Sequence, residues 1–99
     1  MEVRFDWDIA KSDRNLAERG FDFAFASRVF SGVTAEWNDA RRDYGEIRRV
    51  AVGRHQGAWV TVVYTDRTGV SGGIVRRIIS ARVSNRRERQ AYLEAIAKS

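Results

Sequence analysis

An α+β fold is expected from three observations. The front of the chain carries two segments with helix caps and apolar faces, the middle carries alternating segments joined by short glycine-bearing turns, and the end carries one more capped helical segment. Strands that follow one another through short turns predict a mostly antiparallel sheet of about four to five strands. Two N-terminal helices and a C-terminal helix are expected to cover it. A chain of 99 residues has room for one core, so residues 1–99 are read as one domain.

The elements follow in order. Val3 to Trp7 alternates apolar and polar and reads as a strand. Asp8 is placed to cap a helix running to about Arg19, with Gly20 at the left-handed position that closes it and Phe21 able to pack back on Leu16. Asp22 caps a second, short helix through about Phe30, which puts Phe23, Ala26 and Phe30 on one face before Ser31-Gly32 ends it. Val33 to Trp37 reads as a strand and Asn38 to Gly45 as a polar loop. Glu46 to Arg54 and Ala58 to Asp66 form a hairpin around the turn His55-Gln56-Gly57. Thr68 to Gly73 is a glycine-rich loop, and Ile74 to Val83 is the last strand. Asn85 followed three residues later by Glu88 has the spacing of a capping box and opens a helix to about Lys98.

Composition removes several kinds of chemistry. There are no cysteines, which excludes a disulfide scaffold, a thiolate metal site and a cysteine nucleophile. The single histidine, His55, excludes a multi-histidine metal site and leaves a Ser-His-Asp triad only if His55 serves it. No metal and no cofactor are expected. No apolar run approaches the roughly 20 residues of a membrane helix, and Met1 to Asp8 lacks a basic-then-apolar leader. The expectation is a cytoplasmic protein without a membrane partner.

The net charge of +5 is unevenly placed. Residues 1–75 balance, while 76–99 hold Arg76, Arg77, Arg82, Arg86, Arg87, Arg89 and Lys98 against only Glu88 and Glu94. A localised basic excess suits a polyanion or an acidic protein partner. The preference for arginine over lysine, sixteen to two, also fits a GC-rich genome, which accounts for the number of arginines better than for their segregation.

Several segments together resemble the BrnT family of type II toxins, within the RelE-like group of small ribonucleases. Phe5-Asp-Trp-Asp8 with Lys11, Asn15, Leu16 and Gly20 is similar to the opening pattern of that family. Glu46-Ile-Arg48 with Gly53 is similar to its central strand. The most specific stretch is Val62-Val-Tyr-Thr-Asp-Arg67, followed by Arg77-Ile-Ile-Ser-Ala-Arg82 and Glu88 to Tyr92. The chain departs from the pattern at Arg19, where the family usually has histidine, at Val83-Ser84, where it often has Lys-Ala, and in the longer loop Thr68 to Gly73. No role is carried over to the missing histidine or lysine.

The resemblance implies a RelE-like fold, metal-independent RNA cleavage that inhibits translation, and a ribbon-helix-helix, BrnA-like antitoxin through which the complex reaches operator DNA. Its matched positions give the catalytic candidates Lys11, Glu46, Arg48, Tyr64, Arg67, Arg77 and Arg82. Attack of a 2′-hydroxyl on the adjacent phosphate needs a base, cations on the phosphorane and an acid at the leaving oxygen. Glu46 or Lys11 would move protons, Arg48, Arg67 and Arg82 would hold phosphate, and Arg77 would organise the site. Arg77 and Arg82 are an odd number of residues apart, so an ideal strand turns them to opposite faces unless a bulge intervenes or one lies at the strand end. Arg76 is expected to share a face with Arg82. Arg77 is then read as pointing under a helix to a carboxylate, with Glu46 the candidate, and Tyr64 as a core aromatic with its hydroxyl at the rim or as a functional phenol. Arg86, Arg87 and Arg89 can follow an RNA backbone or meet an acidic antitoxin, and Trp37, Tyr44 and Trp59 are either antitoxin contacts or core. The alternative is a non-catalytic nucleic-acid-binding or corepressor module.

Overall fold

The computed structural model describes residues 2–41 and 43–99. Met1 and Arg42, the latter within the expected polar loop, lie outside the described residues. The elements are β1 (Val3–Trp7), α1 (Ile9–Arg19), α2 (Phe23–Ser27) continued by a 3-10 turn (Arg28–Ser31), β2 (Ala35–Asn38), β3 (Arg49–His55), β4 (Ala58–Thr68), β5 (Ile74–Val83) and α3 (Arg86–Lys98). No helix among the described residues is long and apolar enough to cross a membrane.

The helix ends follow from local chemistry. The Asp8 carboxylate accepts from the Lys11 amide at 3.1 Å, and the Asp22 carboxylate accepts from the Phe25 amide at 2.8 Å. Gly20 closes α1 with its amide on the Leu16 carbonyl at 3.0 Å. The capping box of α3 is reciprocal: the Glu88 amide donates to Asn85 and the Asn85 amide donates to Glu88, both at 2.9 Å. Buried Ser12 and Asn15 join α1 to α2 by accepting from the Phe23 amide and donating to the Phe21 carbonyl.

The sheet order is β1-β5-β4-β3-β2. β2–β3, β3–β4 and β4–β5 are antiparallel, but β1 lies parallel to β5, so the sheet is mixed and not the mostly antiparallel one expected. The reason is the helical connection. From β1 the chain crosses through α1 and α2 to the far edge, and the short-turn walk back through β3 and β4 brings β5 beside β1. The strand expected from Glu46 begins only at Arg49, because β2 supplies just four residues for pairing and its last partner, Asn38, meets Arg49. Glu46, Ile47 and Arg48 therefore belong to the preceding loop. The hairpin turn places Gln56 at φ 50° and Gly57 at φ 81°, the two positive angles that suit a right-twisted hairpin.

The core lies between the sheet and α2 with its 3-10 turn. Phe23, Ala26 and Val29 pack on Val60, Val62, Ile78 and Ala81, all at most 2% exposed, with Trp7 and Phe30 closing the margins. Gly53 lets the turn lie on β3, since a Cβ there would come within 2.8 Å of the Val29 Cβ. α3 packs on the opposite side of the sheet, over β3 and β2.

Candidate functional site

Side chains alternate along β4, so Val60, Val62 and Tyr64 enter the core while Trp59, Thr61, Val63, Thr65 and Arg67 turn to the side that α3 occupies. In β5, Arg82 lies opposite Thr61 and Arg77 opposite Thr65. Both arginines therefore share the α3 side of the sheet. The alternation is reset between the pairs Val63–Ser80 and Tyr64–Ile78, where β5 spends two residues against one of β4. This bulge at Ile79 is the exception the sequence reading allowed for.

Arg76 goes the other way. It lies opposite Asp66 and pairs with it at 2.8 Å, 4.3 Å over the Tyr64 ring and 4.7 Å over that of Phe30. It does not share a face with Arg82, as an unbroken strand would require. Arg77 does not point under α1 or α2, and its partner is not Glu46. It meets Asp6, its register neighbour on β1, at 2.5 Å. Asp6 also stands 3.7 Å from Arg67, so one carboxylate sits between two guanidiniums.

Arg82 is held by Glu88. The two terminal guanidinium nitrogens each donate to a carboxylate oxygen at 2.7 Å. Glu88 further accepts from the Thr61 hydroxyl at 3.0 Å and the Asn85 amide. Burial alone would raise the Glu88 pKa, but hydrogen bonds from Arg82, the Asn85 amide and Thr61 outweigh it and hold the carboxyl below its ordinary value. The same pairing raises the pKa of Arg82. The sequence showed Glu88 only as a cap, and its grip on Arg82 became visible when β5 was placed beside the start of α3.

Next to this pair is an open cleft of about 380 Å³. Val50 and Val63 form its apolar floor, Trp37 a wall, and Arg82, Glu88 and the Asp39–Arg41 pair its polar rim. Asp39 and Arg41 meet through two hydrogen bonds of 2.9 Å, and the Arg41 bond holds the Asp39 carboxyl below its usual range. The loop before β3 is tied to the same side, because the Thr65 hydroxyl donates to the Ile47 carbonyl at 2.8 Å. In that loop Arg48 pairs with Glu46 at 3.1 Å and lies 3.9 Å over the Tyr44 ring.

The structure thus brings Arg67, Arg77 and Arg82 to one face, with the Glu46–Arg48 loop attached beside Thr65. It does not bring Lys11 or Tyr64 there. Lys11 is exposed on α1 and borders a separate cleft with Arg14, Glu18 and Arg19. Arg19 itself fastens the end of α1 to β5, donating to the Ala81 carbonyl at 2.7 Å. Tyr64 is 1% exposed; its hydroxyl donates to Glu36 and receives the Arg49 Nε at 3.4 Å. Burial and then the bond to Glu36 push its pKa up. Arg86 and Arg87 are exposed on α3, while Arg89 turns back to the Ser84 carbonyl. Trp59 packs edge-on against Tyr92, and His55 packs edge-on against Phe25 at 4.9 Å. Among the described residues no group of three or more His, Asp or Glu side chains could hold a metal ion.

The family model described as "Ribonuclease toxin, BrnT, of type II toxin-antitoxin system" matches residues 7–88. The chain belongs to the BrnT family. No curated protein gives a significant match. The BrnT match takes in the whole of β5 with its bulge and ends at Glu88, the partner of Arg82. As a toxin family of toxin–antitoxin systems, BrnT implies a cognate antitoxin partner.

Proposed function

We propose that this BrnT-family chain is a metal-independent endoribonuclease with a RelE-like plan, which stops translation by cutting RNA across the face that carries Arg67, Arg77 and Arg82. The observation that supports this most is the bulge in β5, which turns two arginines of opposite parity to one side of the sheet. A strand rises about 3.3 Å per residue, so Arg77 and Arg82 stand roughly 15 Å apart and hold different phosphates of one RNA strand. The Glu46–Arg48 loop, tied to Thr65 opposite Arg77, marks the cleavage end. There Glu46 takes the proton of the attacking 2′-hydroxyl, and Arg48, Arg67 and Arg77 stabilise the charge gathering on phosphorus. The P–O5′ bond breaks, water returns a proton to the leaving oxygen, and the products are a 2′,3′-cyclic phosphate and a 5′-hydroxyl. Lys11, on the helical side, is better suited to a fold or partner contact than to proton transfer. The partner in this reading is a ribbon-helix-helix antitoxin in the cytoplasm, which covers the basic face and carries the complex to operator DNA.

A non-catalytic binding or corepressor module is favoured by a different observation: Arg77 and Arg82 are each engaged by a carboxylate, while Arg86 and Arg87 stand exposed on α3. Purified, antitoxin-free protein incubated with RNA in excess chelator separates the two. Cleavage that is lost in folded Arg77→Ala and Glu46→Ala variants supports the ribonuclease; binding without any cleavage supports the module.

A further inference from the structure

The cleft beside Arg82 differs from the rest of the basic face. Its floor is Val50 and Val63, both 7% exposed and paired across β3 and β4. Above them stands Trp37, which faces the same side because it lies opposite Val50 in the ladder. Trp37 is 37% exposed, and among the described residues no ring or cation lies over it. Trp59 differs, being packed by Tyr92 and covered by Arg54 at 4.5 Å. Apolar walls and an open indole suit a flat aromatic ring and do not suit a phosphate. At the rim stand Arg82 and Arg41, whose side chains are 41% and 74% exposed although each is paired with a carboxylate. A ring in the cleft therefore sits next to cations that can take the phosphate attached to it. A volume of about 380 Å³ accommodates one nucleotide unit.

We infer that this cleft binds one unpaired nucleobase of a single-stranded RNA, stacked on Trp37, with its phosphate on Arg82. The base must be free of a duplex, because its flat face is what the indole reads. Base–aromatic stacking tolerates any base, so the cleft selects for strand state more than for sequence. The inference rests on the ribonuclease reading only for the identity of the nucleic acid.

The test is a fluorescence titration with an uncleavable 2′-O-methyl oligonucleotide, single-stranded and as its duplex. The expected result is quenching of tryptophan emission by the single strand, much weaker binding of the duplex, and at least about tenfold weaker binding by Trp37→Ala. Trp37→Phe is expected to keep most of the affinity and lose the quenching. Its thermal melt shows that the fold is intact. Wild-type affinity and undiminished quenching in the Trp37 variants overturn the assignment, as does a Trp37→Ala protein that keeps oligonucleotide affinity but no longer holds its antitoxin, which makes the indole a protein contact. A protein that binds with the Trp37-dependent signal yet cuts no RNA leaves the base site standing and removes the ribonuclease reading. RNA cleavage unchanged in rate and strand preference by Trp37→Ala does the reverse.

Discussion

Glu88 receives both terminal nitrogens of the Arg82 guanidinium at 2.7 Å while capping the helix on which it stands. One side chain thus fixes the start of α3 and the direction of the strand arginine. Glu88→Ala removes a cap and a charge-assisted pair together, and is expected to cost about 2 kcal/mol, since Arg82 remains partly in water. Arg82→Ala leaves Glu88 with the Asn85 amide and the Thr61 hydroxyl and is expected to cost about half as much. Urea unfolding midpoints at neutral pH give the comparison.

The same pair sets an acid dependence. Glu88 titrates below its ordinary value of 4.5 in the folded protein. Its contribution to stability is therefore fully present above that value and is lost as pH falls through the folded one. Between pH 5 and pH 3 the wild type should lose unfolding free energy more steeply than Glu88→Gln, which has no such proton to bind. Equal slopes for the two proteins would refute the assignment.

Gly53 is required by contact. A methyl there meets the Val29 Cβ at 2.8 Å inside a fully buried cluster. Gly53→Ala is expected to cost about 1–3 kcal/mol, the range of overpacked cores, seen as a lower melting temperature. Val29→Ala keeps the clashing Cβ and should restore little of the loss, whereas Val29→Gly removes that atom and should give a double-mutant cycle that is far from additive.

Asp6 neutralises Arg77 and stands near Arg67. Arg77→Ala should lower the dependence of log K on log salt by about 0.7 for a single strand, the change expected for one lost phosphate contact. Asp6→Asn should raise affinity for the same strand by freeing two guanidiniums. Anisotropy titrations over a salt series measure both effects.

What the sequence disclosed was mostly local. Asp8, Asp22 and Asn85 cap helices by bonds to amides three residues away, and the turn at Gln56-Gly57 needs only its own backbone angles. The limits of β3 were less visible, because Arg49 begins the strand only where β2 has a residue to offer. The parallel pairing of β1 with β5 depends on where two helices return the chain, which no spacing encodes. The site was harder still. Parity places Arg77 and Arg82 correctly only once the bulge at Ile79 is known, and the partner of Arg77 proved to be Asp6, near the other end of the sequence. Trp37 and Glu88 gain their roles from the same long-range placement.

That distance has a consequence for how the protein is made. Asp6 and Arg77 are 71 residues apart, a stretch that synthesis at about 5–20 residues per second covers in about 4 to 14 s. β1 is translated first but has no neighbour until β5 arrives. In that interval α1 and α2 are made early and the β3–β4 hairpin, with Arg67, only late, while Arg77 and Arg82 come after it. The surface that would meet RNA is completed by the last strand and the last helix, so a chain released before them carries Trp37, the Glu46–Arg48 loop and at most Arg67 of it, without Arg77, Arg82 or Glu88.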